Sequence, residues 1–400
     1  MIYLSHFRMK YIFLLFLIST VNSCKSTDNS VLEIDPRSFE DNEIKLSEIA
    51  EDVTYIPLDT QLPIGLIYTY MLSDNSIYLS AKDVGVLKFN REGILIGNIG
   101  KSGRGPGEYT YCMSFAVDEI NGSVYIMDSN VIRVYSRNGT FLRSIILKEF
   151  GANFHEIYMF DAKLFIPEYI AYGKAKYNWI ILDTLGTLIK KKENTIPMFS
   201  STIGAGGGTF KYKDRMSYWN WYDDTVYTVM PGLNYKTSFL ISPGPHRIPR
   251  SKFEAASPSE FTSQMSSFIL LRPLFETDRF MVFRYFYKKP VIAFFEKKSR
   301  KSFLTFLESG FYPTGTNFKG GILNDLDGGP AFQPDSYSEE NGIEFMISLL
   351  NPVEVKTHVA SKEYFSSIPK YPEKKQELEK LAARLKETDN PVLMIVRLKK

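Results

Sequence analysis

The densest run of chemistry-bearing residues is Gly100-Lys101-Ser102-Gly103-Arg104-Gly105-Pro106-Gly107-Glu108-Tyr109. Alternate glycines beside two basic side chains are the ingredients of a phosphate cradle, in which backbone amides close round the anion. The stretch lacks the spacing Gly-x-x-x-x-Gly-Lys-Ser/Thr and no helical pattern follows it, so a structural turn fits better. Arg104, Glu108 and Tyr109 stay as candidate ligand contacts, because loops joining repeated units can open on a binding face. The competing reading is an Arg104–Glu108 ion pair that pins the loop.

A second group is Asn324-Asp325-Leu326-Asp327-Gly328-Gly329. Asp325 and Asp327 suggest a cation site or an acid–base pair, but the calcium-loop spacing Asp-x-Asp-x-Asp-Gly is only half satisfied. Carboxylates capping turn amides account for the same pattern. A third group is Tyr218-Trp219-Asn220-Trp221-Tyr222. On a strand Trp219 and Trp221 share one face, where exposed rings would stack on sugars and buried rings would fill a core. Gly204-Ala205-Gly206-Gly207-Gly208, just upstream, points to a loop rim that could admit a ligand.

No Gly-x-Ser-x-Gly elbow occurs, and His155, His246 and His358 lack metal-ligand spacing, so His155-Glu156 reads as a surface turn pair. Neither a cofactor nor a metal is implied. Lys+Arg number 48 against 45 Asp+Glu, for a net charge of +3, and the basic residues are scattered, which gives no nucleic-acid footprint.

These groups need a scaffold, and the sequence repeats one. Ile77-Tyr78-Leu79 and Val124-Tyr125-Ile126 are apolar strands entered from tight turns, and Phe89-Asn90-Arg91-Glu92-Gly93 matches Tyr135-Ser136-Arg137-Asn138-Gly139 as a hairpin. Gly93, Gly139, Gly186 and Gly232 recur at intervals of 46, 47 and 46 residues. A period of this length made of short strands predicts an all-β chain, a six-bladed β-propeller over residues 42–400, because radial stacking buries faces that one sheet leaves bare. The 30 Phe and 25 Tyr suit pleated, half-buried surfaces. After Gly232 the period blurs: Ser257 to Met265 suggests an inserted short helix, and the sixth blade is expected to be irregular. Pro372 to Glu387 is predicted as a helix with Leu378, Leu381, Ala382 and Leu385 on one face, stopped by Asp389-Asn390-Pro391. Val392 to Leu398 then reads as a strand that closes the ring against Val53-Thr54-Tyr55-Ile56.

The first 23 residues read as an export signal: Arg8 and Lys10 precede the apolar run Tyr11 to Val21, which is shorter than the ~20 residues needed to cross a bilayer. The ending Val21-Asn22-Ser23-Cys24 resembles a bacterial lipobox, which implies that Cys24 carries a lipid anchor. Residues 24–41 are polar and unpatterned and read as a tether. The second cysteine, Cys112, reads as a small buried hydrophobe.

Four stretches, Tyr55-Ile56-Pro57-Leu58, Ile99 to Tyr109, Gly321 to Gly329 and Asp389-Asn390-Pro391-Val392-Leu393, together resemble the six-bladed β-propeller lipoproteins of glycan-using Gram-negative bacteria. Gly-Pro-Gly-Glu-Tyr also looks like part of an NHL-type repeat. The resemblance implies a fold and an envelope address, on the periplasmic or surface side of the outer membrane, and no settled activity. The expectation is a non-catalytic binding or scaffold module for a glycan, peptide or envelope protein. A propeller hydrolase or lyase with axial carboxylates, and a sensor module for a signalling partner, are the alternatives.

Overall fold

Gly93, Gly139, Gly186 and Gly232 take φ of +85°, +82°, +102° and +77°, the left-handed region that favours glycine. Each sits at the tip of the hairpin joining the third and fourth strands of an antiparallel four-stranded blade, which in the case of Gly232 carries one added edge strand. Three of the tips are also seated on the preceding blade. A Cβ at Gly93 would stand 2.3 Å from the Pro57 carbonyl oxygen, one at Gly139 2.3 Å from that of Asn98, and one at Gly186 2.6 Å from the Ile145 side chain. The sequence period therefore marks the turn at all four positions and the blade-to-blade contact at three.

A computed structural model describes residues 31–400 apart from 152–153, 170–172, 202–205, 256, 258, 261–266, 288 and 309–318. The export segment and Cys24 lie outside the described residues. Six sheets follow in ring order. Blades 1 to 3 span residues 67–99, 114–146 and 158–193, and blade 4 spans 207–241. Blade 5 spans 270–308, and blade 6 combines Ser336–Glu340, Ile343–Leu350, Val392–Leu398 and, from the other end of the chain, Ala50–Pro57.

The middle strands are buried on both faces, as in Ile77–Ala81, and alternate residues serve different neighbours. Ile77 and Leu79 pack with Ile347, Leu393 and Ile395 of blade 6, whereas Tyr78 packs with Val124, Ile126 and Tyr135 of blade 2. The same division recurs around the ring, so the core is a set of radial apolar wedges rather than one central mass.

The expected closure is present: Val53 pairs with Val396 and Ile56 with Leu393 in an antiparallel register. Three of the stretches that carry the family resemblance meet here. The Leu58 amide donates to the Pro391 carbonyl at 3.1 Å, and the Tyr55 hydroxyl donates to Asp327 Oδ1 at 3.3 Å.

The expected tether needs correction over residues 32–41. Leu32–Ile34 adds as a parallel strand to the outer edge of blade 4, with Ile34 fully buried, and Phe39 packs on Phe283, Tyr285 and Phe295 of blade 5. Asn42 then accepts from the Leu304 amide at 3.0 Å, and Lys45 bridges to Leu323 before the chain enters blade 6. Ile34 and Pro36, the buried positions of this stretch, keep a strand spacing over too few residues to register as a period in sequence.

Blade 5 keeps the hairpin but not the glycine: Arg300 holds φ +61° in the equivalent turn. A short helix, Arg250–Ala255, lies ahead of the blade; of the helix expected over Ser257 to Met265, most residues lie outside those described. Three helices interrupt blade 6, Pro352–Val359, Lys362–Ser366 and Pro372–Arg384. The last ends before the expected Glu387 because Leu385 leaves the helix at ψ 138°, yet Leu378, Leu381, Ala382 and Leu385 are all buried against blades 5 and 6.

Candidate functional site

The first strand of every blade faces the axis, and together these strands enclose a cavity of about 920 Å³. Tyr70, Ser114, Tyr158, Thr209, Arg272 and Ser336 each come from a different blade and line it. The lumen is polar because the inner edge of a propeller has no further strand to pair with, so polar side chains there meet water.

At the end where the first strands begin, Glu156 Oε2 accepts from the hydroxyls of Tyr158 and Tyr169, both at 2.8 Å. The Tyr169 oxygen in turn accepts from the Thr209 hydroxyl at 2.7 Å, and Arg272 stands 3.8 Å from Glu156 Oε1. Across the lumen the Tyr70 hydroxyl donates to Asp335. Asp335 has surface open to the lumen, and desolvation by the surrounding wall pushes its carboxyl up to about 6, with the Tyr70 bond and the Arg284 charge opposing. Burial likewise raises Tyr70, Tyr158 and Tyr169 well above the ordinary phenol range, so all three stay protonated donors.

At the other end Glu344 accepts from the Tyr337 hydroxyl at 2.7 Å and from the Asp278 amide at 2.8 Å. Asp278 is held below the usual carboxylate range by Lys213 and Tyr212. Lys211 projects into the lumen, and burial there lowers its amine, with Glu339 opposing. The recurring unit is a carboxylate paired with a tyrosine hydroxyl. Such a pair leaves lone pairs of the carboxylate free, so the lumen offers aromatic faces and acceptors to a ligand.

The residues singled out from sequence lie elsewhere. The stretch Ile99 to Tyr109 joins blade 1 to blade 2. Glu108 takes the Gly105 amide at 2.8 Å and stands 3.4 Å from Lys101, so its ion partner is Lys101 and not Arg104, which is exposed. Tyr109 is buried, donating to the Ile99 carbonyl at 3.0 Å and accepting from the Val86 amide at 2.8 Å. Trp219 and Trp221 share a face in the blade 4–5 wedge, and Trp221 Nε1 donates to the Leu271 carbonyl at 3.0 Å.

Asp325 takes the amide and hydroxyl of Ser47 at 2.8 and 2.6 Å, which fixes the strap. Asp327 is fully buried, accepts from Asn324 at 2.6 Å and the Gly329 amide at 2.9 Å, and is raised by burial. Gly204 and Ala205 lie outside the described residues, whereas a Cβ at Gly206 would stand 2.2 Å from the Trp221 ring. Burial pushes the Cys112 thiol up to about 12.

Glu156 belongs to the lumen and not to a surface turn. Sequence reasoning also passed over Tyr70, Tyr158, Tyr169, Arg272 and Asp335, although a signal existed: Tyr70, Ala116 and Thr209 each precede their blade's turn glycine by 23 residues. Counting back from the repeat finds the axial strand in blades 1, 2 and 4; in blade 3 the same count falls on Lys163, in the second strand.

Among the described residues no group of three or more metal-type ligands occurs, and no helix is long and apolar enough to cross a membrane. The backbone is similar to that of a Bacteroides fragilis NCTC 9343 protein described as exported, with TM-score 0.64, 18% identity and coverage of 93% of this chain and 100% of that one. It is similar also to a DUF4221 family member from Bacteroides vulgatus ATCC 8482, with TM-score 0.48, 10% identity and coverage of 90% and 99%. No curated protein sequence matches the chain. Residues 30–397 match one family along nearly the whole propeller, and the chain therefore belongs to the DUF4934 family, a domain of unknown function.

Proposed function

We propose that this protein is a lipid-anchored binding module of the bacterial cell envelope that takes a glycan or peptide in its axial lumen. The observation that carries the reading is the lumen itself: about 920 Å³, lined by tyrosine rings and carboxylates from all sides. Tyrosine faces stack on sugar rings or peptide bonds, and carboxylates accept from hydroxyls and amides. An envelope address draws support from the apolar run before Cys24 and from the exported Bacteroides fragilis neighbour.

The test is a glycan and peptide array probed with the purified chain and with Tyr70→Phe, Glu156→Gln and Asp335→Asn. A ligand whose signal falls at least about tenfold in these variants supports the reading; one bound equally by parent and variants sinks it. Anchoring is tested apart, by fractionating cells that carry Cys24→Ala: a variant that stays on the membrane like the parent removes the lipid. Asp335, raised to about 6 beside Tyr70, favours one second reading, a hydrolase or lyase in which this carboxyl passes a proton. Glycan turnover abolished by Asp335→Asn would replace binding by catalysis.

A further inference from the structure

A crevice between blades 2 and 3 is lined by a carboxyl, that of Glu168, of which the fold leaves one oxygen unpaired. Glu168 follows the strand Lys163–Pro167 and is 2% exposed, and its Oε2 has no hydrogen-bond partner among the described residues. Native folds seldom leave a buried polar atom unpaired without a use for it. The backbone at this position is fixed: the Glu168 amide donates to the Asn178 carbonyl at 2.8 Å, and its carbonyl accepts from the Tyr218 hydroxyl at 2.8 Å.

Gly151 stands over the carboxyl. A Cβ there would lie 3.1 Å from the Phe154 ring and 3.3 Å from Glu168 Oε2, so a side chain at this position would crowd the carboxyl. The crevice measures about 620 Å³ and is walled by Val131, Ile146 and Phe150. Its rim carries three exposed lysines, Lys148, Lys174 and Lys176, against one exposed acid, Glu149. Burial pushes the Glu168 carboxyl up to about 7, which lessens its repulsion of an anion.

We infer that this crevice is a second ligand site, for a small anion that also carries hydroxyl groups, such as a sugar acid or a sugar phosphate. The lysine rim selects the anionic group, because exposed ammonium groups of one sign focus an opposite charge. The floor selects hydroxyls, because an unpaired carboxyl oxygen gains most from a donor. The apolar walls accept the carbon face of a ring. The site shares no lining residue with the axial lumen and stands or falls separately from it.

Calorimetric titration of the full chain with D-glucuronate, glucose 6-phosphate, glucose and acetate tests the inference. One or both sugar anions bind saturably, while glucose and acetate, each missing half of the chemistry, bind at least about tenfold more weakly. The tighter of the two anions identifies the source of the charge. The rim variant Lys174→Ala/Lys176→Ala, at exposed positions, weakens that binding at least about tenfold. Glu168→Leu removes the preference for glucuronate over acetate, and Gly151→Val, which covers the carboxyl from above, does the same if the Glu168 variant does not fold. Absence of saturable binding by either sugar anion, equal binding by acetate or glucose, or a rim variant that binds like the parent overturns the proposal.

Discussion

The Tyr70 hydroxyl donates to Asp335 across the boundary between blade 1 and blade 6, joining the two blades where the ring is sealed. Asp335 is raised from an ordinary 3.8 to about 6, so between these values the folded chain keeps a proton that the unfolded chain has released. Its contribution to stability is therefore complete below about pH 4 and is lost as pH rises through 6. Asp335→Asn flattens this part of the profile, which spans about 1 kcal/mol once the water of the lumen is allowed for. Tyr70→Phe withdraws a donor from the ionised form and moves the fall to higher pH. Denaturant melts between about pH 4 and 8 check both shifts.

Glu168 behaves in the same sense over a different window. Its carboxyl is raised from 4.5 to about 7, so its favourable term is present below 4.5 and gone above 7. Glu168→Gln, which cannot ionise, gains about 1–2 kcal/mol over the parent at pH 8 and nothing at pH 4.5. Thermal melts at the two pH values measure this, and an equal effect at both removes the buried-charge explanation.

Two of the period glycines separate conformation from contact. Gly139 and Gly232 share a positive φ, +82° and +77°, but a Cβ at Gly139 meets the Asn98 carbonyl at 2.3 Å whereas one at Gly232 meets nothing within 4 Å. Gly232→Ala costs about 1 kcal/mol from backbone strain. Gly139→Ala costs at least about 2 kcal/mol more, because the hairpin tip has to lift off blade 1. Comparable losses in equilibrium unfolding would show that tip docking contributes little.

Asn390 locks the chain just before its closing strand. Its Nδ2 donates to the carbonyls of Asp59 at 2.6 Å and Leu62 at 2.8 Å, and its Oδ1 accepts from the Ile64 amide at 2.8 Å. Asn390→Ala leaves these backbone groups without a partner and costs about 2–3 kcal/mol. Asn390→Asp retains the acceptor and loses both donor contacts, so it is no less damaging. Urea midpoints order parent above both variants.

What sequence reveals and hides here follows from which forces have a period. Gly93, Gly139, Gly186 and Gly232 were legible because one turn conformation recurs at all four, joined at the first three by a docking contact on the preceding blade. Val392–Leu398 was legible as a continuous apolar run, since an inner strand of the closing blade is buried on both faces. The lumen was not, because Glu156 and Asp335 stand in loops and Arg272 within an ordinary strand, and they are brought together only by the sixfold arrangement. Motif logic drew attention to Asp325 and Asp327, whose conspicuous spacing serves the strap and the ring closure. Polar clusters along a chain often tie its own backbone.

The strap of residues 32–49 also sets how tension reaches the ring. A pull on the chain at Leu32 loads a three-residue parallel strand on blade 4, then the contacts of Phe39 and Asn42 on blade 5, before it reaches Ala50–Pro57. Those contacts lie in series and ahead of the seam, so they act as a mechanical fuse: they give way one at a time while the closing strand stays zipped.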